Sequence, residues 1–346
     1  MKRILLMILI ISLFVIPVDA LDITAPEAPG SAREYLPDQS RSFGEDLWYV
    51  IKTALQDLLP SITETAGICL SVVAIVVLTT ILQSFSGTTK KVMLIISAIG
   101  IGLLLFDSTH TLIRLGSATV TELAEYGKLL LPVMTAAMAA QGALNSSSAL
   151  YMGTAVFNSV LTTFIVKLII PVIYIYIFLC IADCATQERL LKNLRDFVKW
   201  LATWSLKIIL YVFTGYMGIT GVVSGSVDAA AVKATKLTIS SAVPVVGSIL
   251  SDASETILVS AGLVKNTAGV YGMLAMIAIF IGPFLKIGIQ YLLLKLTAGI
   301  ISILGTKETV TLVKDFSGAL GMVLAMTGTV CLLLLISVVC FMRGVV

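Results

Sequence analysis

The chain has 346 residues, of which 58% are hydrophobic and only 12% are charged. Soluble globular domains contain roughly 25% charged residues, so this composition excludes an ordinary soluble protein and indicates a polytopic membrane protein. The formal net charge of +3 is too small to form the basic face that nucleic-acid binding requires, so we expect no nucleic acid as a direct ligand.

The amino terminus has the order of features that is typical of a secretory signal peptide. Lys2 and Arg3 precede an apolar run from Ile4 to Ile16, and small residues then lead to Ala20. We predict a signal peptide over residues 1–20 that is cleaved after Ala20. An uncleaved anchor is the alternative, but this run is short for a hydrocarbon core about 30 Å thick.

The next segment, residues 21–60, is expected to be translocated, which leaves the mature amino terminus outside the cytoplasm. Its first half is rich in proline and acidic residues and predicts irregular structure. Between residues 43 and 60, apolar side chains recur every three or four positions with charged residues between them. This pattern predicts an amphipathic helix near the membrane surface.

Residues 61–346 are predicted to form an all-α membrane domain with about 8–10 spans. Hydropathy indicates six clear spans, near residues 66–86, 92–110, 201–223, 267–284, 286–304 and 318–341. Basic segments near Lys90 and Arg195 should both be cytoplasmic, which requires an odd number of crossings between residues 129 and 185. Three short helices interrupted by proline would supply them, at about 129–144, 148–166 and 168–184.

The membrane domain also shows an internal similarity at an offset of 112 residues. It is carried by two pairs of prolines, each pair 39 residues apart: Pro132 with Pro171, and Pro244 with Pro283. Residues 194–197 also resemble residues 313–316. We predict a parallel duplication with units at about 128–225 and 240–341, since each unit would contain an even number of crossings. The alternative is two unrelated hairpins that are broken by proline.

The sequence contains none of the phosphate-loop, metalloprotease or nucleophile-elbow motifs that would indicate an enzyme, so we predict a protein without catalytic residues. All five cysteines lie in or beside apolar segments. Cys180 and Cys184 are too few to form a zinc site, so no metal or cofactor is expected. His110 is the only histidine; it follows Asp107 in a polar stretch and is interpreted as a loop residue.

Lys295 is the most unusual ionisable residue, because it lies midway along the predicted span 286–304. A lysine at such depth is costly and is therefore a candidate functional residue with an acidic partner elsewhere. We take Asp252 and Glu255 as its candidate partners.

The segment between residues 214 and 270 carries further candidates. Its charges face a cavity if the segment lies at membrane depth, and otherwise form a solvated face: Asp228, Lys233, Lys236, Asp252 and Glu255. Small and turn-forming residues there are candidates for close helix packing or assembly: Gly218, Gly221, Gly225, Pro244 and Gly247. The duplication predicts a crossing at 240–257, whereas the polar residues argue against one, so the side of the carboxyl terminus stays open.

This segment also carries a resemblance to a known family. The matching residues are Gly218-Ile-Thr-Gly221, Asp228, Lys233-Ala-Thr-Lys236, Pro244-Val-Val-Gly247, Leu250-Ser-Asp252-Ala-Ser-Glu255, Leu263-Val-Lys265-Asn266 and Gly269. On these residues the chain resembles the stage III sporulation protein AE family of endospore-forming Firmicutes. The resemblance covers the signal peptide and residues from about 43 to 346, and the segment before Phe43 is shorter than the family would suggest.

The resemblance implies a subunit of the channel or secretion-like complex between mother cell and forespore, located in the mother-cell membrane around the forespore. The implied partners are the other membrane and ring proteins of the same operon, a secretion-type ATPase and, indirectly, stage II sporulation protein Q. The lipid bilayer surrounds the protein, and a homo-oligomer is a further alternative. Two other hypotheses remain: an independent transporter coupled to an ion at Lys295, and a membrane scaffold that only anchors the ring proteins.

Overall fold

A computed structural model of the chain describes the backbone of residues 25–37, 42–85, 90–242 and 247–343. Within these ranges, the side chains of 83–85, 90–91 and 221–265 are not described. The predicted signal peptide and Pro244 lie outside the described residues. The described chain contains helices and no β-strand, which confirms the all-α class.

Nine α-helices follow one another along the described residues. They are α1 (Gly30–Arg33), α2 (Phe43–Gln56), α3 (Leu59–Phe85), α4 (Lys90–Ala140), α5 (Leu144–Phe164), α6 (Ile170–Thr186), α7 (Arg189–Ala242), α8 (Gly247–Ile301) and α9 (Lys307–Arg343). A wide π-helical turn, Ile165–Ile169, joins α5 to α6 without a break.

Six helical stretches in the described chain are long and apolar enough to cross a membrane, which fits a multi-pass membrane protein. They are Leu59–Leu82, Val92–Ala140, Leu144–Thr186, Arg189–Thr220, Asn266–Ile301 and Lys307–Arg343. Nine separate segments were predicted, and three pairs of them are each one continuous stretch: 92–110 with 129–144, 148–166 with 168–184, and 267–284 with 286–304.

Proline does not end these helices, which is why the predicted breaks are missing. Pro132 lies inside α4 and Pro283 lies inside α8. Pro171 is the second residue of α6 and directly follows the wide turn at Ile165–Ile169. A proline removes one backbone donor and crowds the preceding turn, and a π-type turn relieves that crowding without breaking the helix. The chain does break after α4, where Gly142 has a φ of 90° that favours glycine.

The six long stretches alternate in direction, as contacts at both ends of the bundle show. At one end, the Thr80 hydroxyl near the end of α3 donates to the Leu304 carbonyl after α8 at 3.2 Å. At the other end, the Thr154 hydroxyl of α5 lies 3.2 Å from the Ser337 hydroxyl of α9. We call the end where α4, α7 and α9 begin the basic end, since it holds Arg189 and the following basic residues. The last helix finishes at the opposite end.

The amino-terminal segment packs on that opposite end of the bundle. The Tyr126 hydroxyl of α4 donates to the Pro26 carbonyl at 3.4 Å, and the Ala28 amide donates to the Tyr271 hydroxyl of α8 at 3.3 Å. Helix α2 begins at Phe43, as the apolar pattern predicts. The described parts of both termini therefore lie at the same end of the bundle.

Helix α9 is central, because it contacts α4, α5, α6, α7 and α8. Glycines permit the closest approaches. A Cβ atom added at Gly116 of α4 would overlap the Val323 Cγ1 atom of α9, and one added at Gly127 would lie 2.7 Å from the Leu334 Cδ2 atom. Protein interiors are close-packed, so these positions have no room for a side chain.

His110 is not a loop residue, as the sequence had suggested, because it lies inside the continuous helix α4. Its Nδ1 atom is 2.7 Å from the Tyr174 hydroxyl of α6. One turn closer to the basic end, the aromatic ring of Phe106 stacks on it with centroids 6.0 Å apart. The polar stretch is therefore an interhelical contact rather than a connection between two spans.

Replacing Gly116 by alanine should lower the free energy of unfolding by about 1–3 kcal/mol, because Val323 is stiff at χ1 and must move with its helix. Replacing Gly218 by alanine should raise it by about 0.5–1 kcal/mol, since Gly218 has nothing within 4 Å and alanine favours the helix. Thermal unfolding of the purified protein in detergent measures both. Equal effects of the two substitutions would contradict the close approach of α4 and α9.

Labelling of engineered cysteines should place the two ends of the bundle on opposite sides of the membrane. Glu34 and Glu188 are both exposed. Glu34 belongs to the amino-terminal segment, which packs on the end opposite the basic end, and Glu188 lies at the basic end. If the basic end is cytoplasmic, an impermeant maleimide should label Glu34→Cys but not Glu188→Cys in intact spheroplasts. Both should react after lysis, and the unchanged protein provides the background from Cys340. The reverse pattern would overturn this orientation.

Candidate functional site

A buried cluster of charged side chains lies near the basic end of the bundle, around Arg195 of α7. Its Nη1 atom is 2.8 Å from the Asp183 Oδ2 atom of α6 and 2.6 Å from the Asp315 Oδ2 atom of α9. Its Nη2 atom is 3.0 Å from the Asp196 Oδ1 atom. The side chains of Arg195 and Asp315 are only 6% and 12% exposed, so one guanidinium joins three helices away from solvent.

Local backbone geometry brings these residues together. Gln187 caps the carboxyl end of helix α6. Its φ of 59° is left-handed, and its amide donates to the Asp183 carbonyl at 2.8 Å. This reversal starts α7 only three residues after α6 ends, and Arg195 follows within two turns. Asp315 lies at a similar depth, because α9 begins at Lys307 from the same end of the bundle.

A second layer of contacts holds the Asp315 carboxylate. The buried Tyr176 hydroxyl of α6 donates to its Oδ1 atom at 3.2 Å. Lys199, one turn after Arg195, places its Nζ atom 5.8 Å from the centre of the Tyr176 ring. Lys199 also acts electrostatically on Asp315, and Lys192 acts similarly on Asp183. The cluster contains more carboxylates than guanidinium groups, so these two lysines offset its excess negative charge.

Two cavities meet at Asp315. The first, which we call the terminal cavity, has a volume of about 240 Å³. It is lined by Cys180, Asp183, Cys184, Gln187, Lys192, Arg195, Lys307, Glu308, Thr311, Leu312 and Asp315. The second, which we call the lysine cavity, has a volume of about 580 Å³. It is lined by Lys199, Thr203, Tyr291, Lys295, Lys314, Asp315, Ser317, Gly318, Gly321, Met322 and Ala325. Asp315 lines both cavities, and its partner Arg195 lines the terminal cavity.

Lys295 lines the lysine cavity, but not at the depth that the sequence predicted. Since α8 continues through Pro283 and ends at Ile301, Lys295 lies six residues from the basic end of its helix rather than at mid-span. Its Nζ atom lies 4.7 Å from the centre of the Tyr291 ring.

The predicted partners of Lys295 belong to the same helix as Lys295 itself. Glu255 precedes Lys295 by 40 residues in the continuous helix α8, and Asp252 lies further still. At 1.5 Å per residue, this separation is about 60 Å along the axis. The side chains of Asp252 and Glu255 lie outside the described residues, so their pairing with Lys295 stays a prediction.

The other predicted positions fall into two groups. Gly218 lies on an exposed face of α7 with no neighbour within 4 Å among the described residues, and the packing role predicted for it stays a prediction. Seven candidates have side chains outside the described residues: Gly221, Gly225, Asp228, Lys233, Lys236, Asp252 and Glu255. Gly247 begins α8, and its surroundings are likewise not described. Their roles stay predictions.

The charged cluster was not predicted as a site, although the sequence contained a signal for it. Residues 194–197 resemble residues 313–316, and the two segments face each other in the fold. Arg195 of the first segment binds Asp315 of the second. A Cβ atom added at Gly318 would lie 2.8 Å from the Lys199 Nζ atom, so the contact continues one turn further. A parallel duplication would produce such a contact, and the duplication itself stays a prediction.

Replacing Arg195 by methionine should lower the free energy of unfolding by about 3–5 kcal/mol, because it leaves Asp183 and Asp315 buried without their partner. Replacing Asp196 by asparagine should change it by less than about 1 kcal/mol, since that side chain is 57% exposed. Thermal unfolding in detergent is the measurement.

A triple variant separates the loss of the arginine from the charge that it leaves behind. Adding Asp183→Asn and Asp315→Asn to Arg195→Met should recover most of the lost stability, because no uncompensated charge remains. If Arg195→Met is as stable as Asp196→Asn, the cluster does not hold the three helices together.

Comparison with known proteins agrees with this architecture. The sequence profile of the family described as stage III sporulation protein AE matches residues 34–344. Stage III sporulation protein AE of Bacillus subtilis (strain 168) is 22% identical to the chain over 313 residues, which cover 89% of the chain and 78% of that protein. No solved structure matches the chain. Since the family profile extends over nearly the whole sequence, the chain belongs to the stage III sporulation protein AE family.

Proposed function

We propose that this protein is a non-enzymatic integral membrane subunit of the channel or secretion-like complex that links mother cell and forespore during endospore formation. Its membership of a stage III sporulation family and its six apolar helices support this proposal. The complex would include other membrane and ring proteins of the same operon and a secretion-type ATPase, with stage II sporulation protein Q as an indirect partner. The protein would lie in the mother-cell membrane around the forespore.

The observation that carries the proposal is the buried ion pair of Arg195 with Asp315, since Asp315 lines both cavities. The Arg195 and Asp315 side chains are buried among α6, α7 and α9. Charged groups near the end of a membrane bundle are tolerated where they are paired within the protein or face water. A buried pair that closes the junction of two cavities suits a conduit or gate that a partner operates.

The work of opening would have to come from outside the protein. Separating a buried pair leaves two desolvated charges, which costs several kcal/mol unless water enters with the movement. The sequence contains no phosphate-binding loop that would supply this energy from a nucleotide. A partner ATPase that pulls on α7 or α9 at the basic end would act directly on the helices that carry Arg195 and Asp315.

Deletion of the gene from a spore-forming host should leave engulfment intact, after which forespores should shrink and late forespore transcription should fail. Microscopy with a late forespore reporter measures both. Normal sporulation in the deletion strain would contradict the proposed role, and the ion-coupled transporter would replace it.

Complementation distinguishes a conduit from a scaffold. The unchanged gene and Asp196→Asn should restore sporulation, whereas the triple variant Arg195→Met, Asp183→Asn, Asp315→Asn should fail although it is stable and reaches the membrane. Immunoblotting of membrane fractions controls for abundance. If the triple variant sporulates normally, the junction of the cavities is dispensable and the scaffold hypothesis is favoured.

A further inference from the structure

The lysine cavity gathers three ammonium groups from three different helices. Lys199 comes from α7, Lys295 from α8 and Lys314 from α9. These positions are far apart in the sequence, so only the fold brings them to one space of about 580 Å³. The cavity is much larger than a single water molecule requires and can hold a small polar group.

The positive charge of this cavity is only partly balanced by the described residues, since Asp315 is the acidic group on which Lys199 acts. Among the described residues, no carboxylate lies within 4.0 Å of any of the three ammonium groups. Asp315 is the one acidic residue among the described lining residues, and its two oxygens already accept from Arg195 and Tyr176. A cavity with three cations and one engaged carboxylate favours an anion.

The wall of the cavity is shaped to keep this space open. Gly318 and Gly321 of α9 lie on the same helix face, and a side chain at either position would require a neighbouring side chain to shift. A Cβ atom added at Gly318 would lie 2.8 Å from the Lys199 Nζ atom. A Cβ atom added at Gly321 would lie 3.3 Å from a ring carbon of Tyr291. The Tyr291 ring also holds the Lys295 ammonium at 4.7 Å. Two of the three cations are therefore positioned by packing.

The depth of the cavity corresponds to a membrane–water interface. Trp200 and Trp204 follow Lys199 on α7, are each about half exposed, and stack with ring centroids 5.6 Å apart. Exposed tryptophans of membrane helices concentrate at the level of lipid headgroups. The three lysines also lie near the basic end, where α8 ends and α7 and α9 begin.

We propose that the lysine cavity binds the phosphate headgroup of an anionic phospholipid such as phosphatidylglycerol. Ammonium groups form strong, charge-assisted hydrogen bonds with phosphate oxygens, and basic pockets between membrane helices hold anionic headgroups. The acyl chains would lie along the exposed apolar face of α7 beside Trp200 and Trp204. The site does not depend on the proposed channel role, because it rests on these lysines and their surroundings.

The test uses the full-length protein purified in detergent, with native mass spectrometry as the readout. Phosphatidylglycerol, phosphatidylcholine and inorganic phosphate are added separately. Phosphatidylglycerol should bind more tightly than zwitterionic phosphatidylcholine. Each Lys→Gln substitution at 199, 295 or 314 should weaken its binding about fivefold, and the triple variant about a hundredfold. Lys207→Gln is the matched control, since Lys207 is an exposed lysine of α7 that does not line the cavity.

Two further comparisons make the result decisive. A triple Lys→Arg variant keeps the charge and should retain binding, so a loss in the triple Lys→Gln variant alone is not explained by misfolding. Equal binding of the two lipids, or unchanged binding by the triple Lys→Gln variant, would overturn the site. If inorganic phosphate displaces phosphatidylglycerol at equal concentration, the cavity takes a free phosphate-bearing solute instead, and the lipid proposal is wrong.

Discussion

The guanidinium of Arg195 is the interaction on which the basic end of the bundle depends. It lies between Asp183 and Asp315 and thereby joins α6, α7 and α9 at one point. Dispersion and burial hold the rest of the bundle together, but apolar contacts are non-directional and fix the helices only loosely in register. A buried ion pair with distances of 2.6–2.8 Å adds a directional constraint, because either partner left alone would be strongly destabilising.

This constraint explains why the two cavities remain separate. The terminal cavity opens where α6 meets α7 and α9, and the lysine cavity lies among α7, α8 and α9. Asp315 contributes to both walls, and Tyr176 holds its second oxygen. Rotating α9 by a small angle would therefore disturb both cavities together. Close-packed interfaces tend to have discrete arrangements rather than continuous ones, so the junction is suited to two states.

The composition and the hydropathy pattern were sufficient to predict the all-α membrane class, since charges are scarce and the apolar runs are long enough to cross a bilayer as helices. The positions of the helix ends were not predictable in the same way. Proline usually marks an end, but the wide turn before Pro171 accommodates it, and no local pattern announces such a turn. The error at Lys295 has the same origin, because joining two predicted spans moved that residue from mid-span to the end of α8.

Residue contacts across the bundle were the least predictable part of the site. Arg195 lies in a basic segment that the sequence assigned to the cytoplasm, and only its distant partner Asp315 makes it a buried residue. Hydropathy averages over a window and cannot report which charge faces a neighbour. The similarity between residues 194–197 and 313–316 was the available signal, since duplicated segments in one bundle can pack against each other.

The charge cluster and the lysine cavity are linked through Asp315 and Lys199. Lys199 offsets the negative charge around Asp315 and also lines the cavity in which an anion would bind. An anion near Lys199 would compete with Asp315 for that ammonium and would leave the carboxylate more dependent on Arg195. A ligand that binds one state of the junction more tightly than the other shifts the equilibrium between the two states by the difference in its binding free energies. If the lysine cavity binds a lipid headgroup and the junction acts as a gate, as proposed, Lys199 would couple the lipid environment of the basic end to the state of the junction.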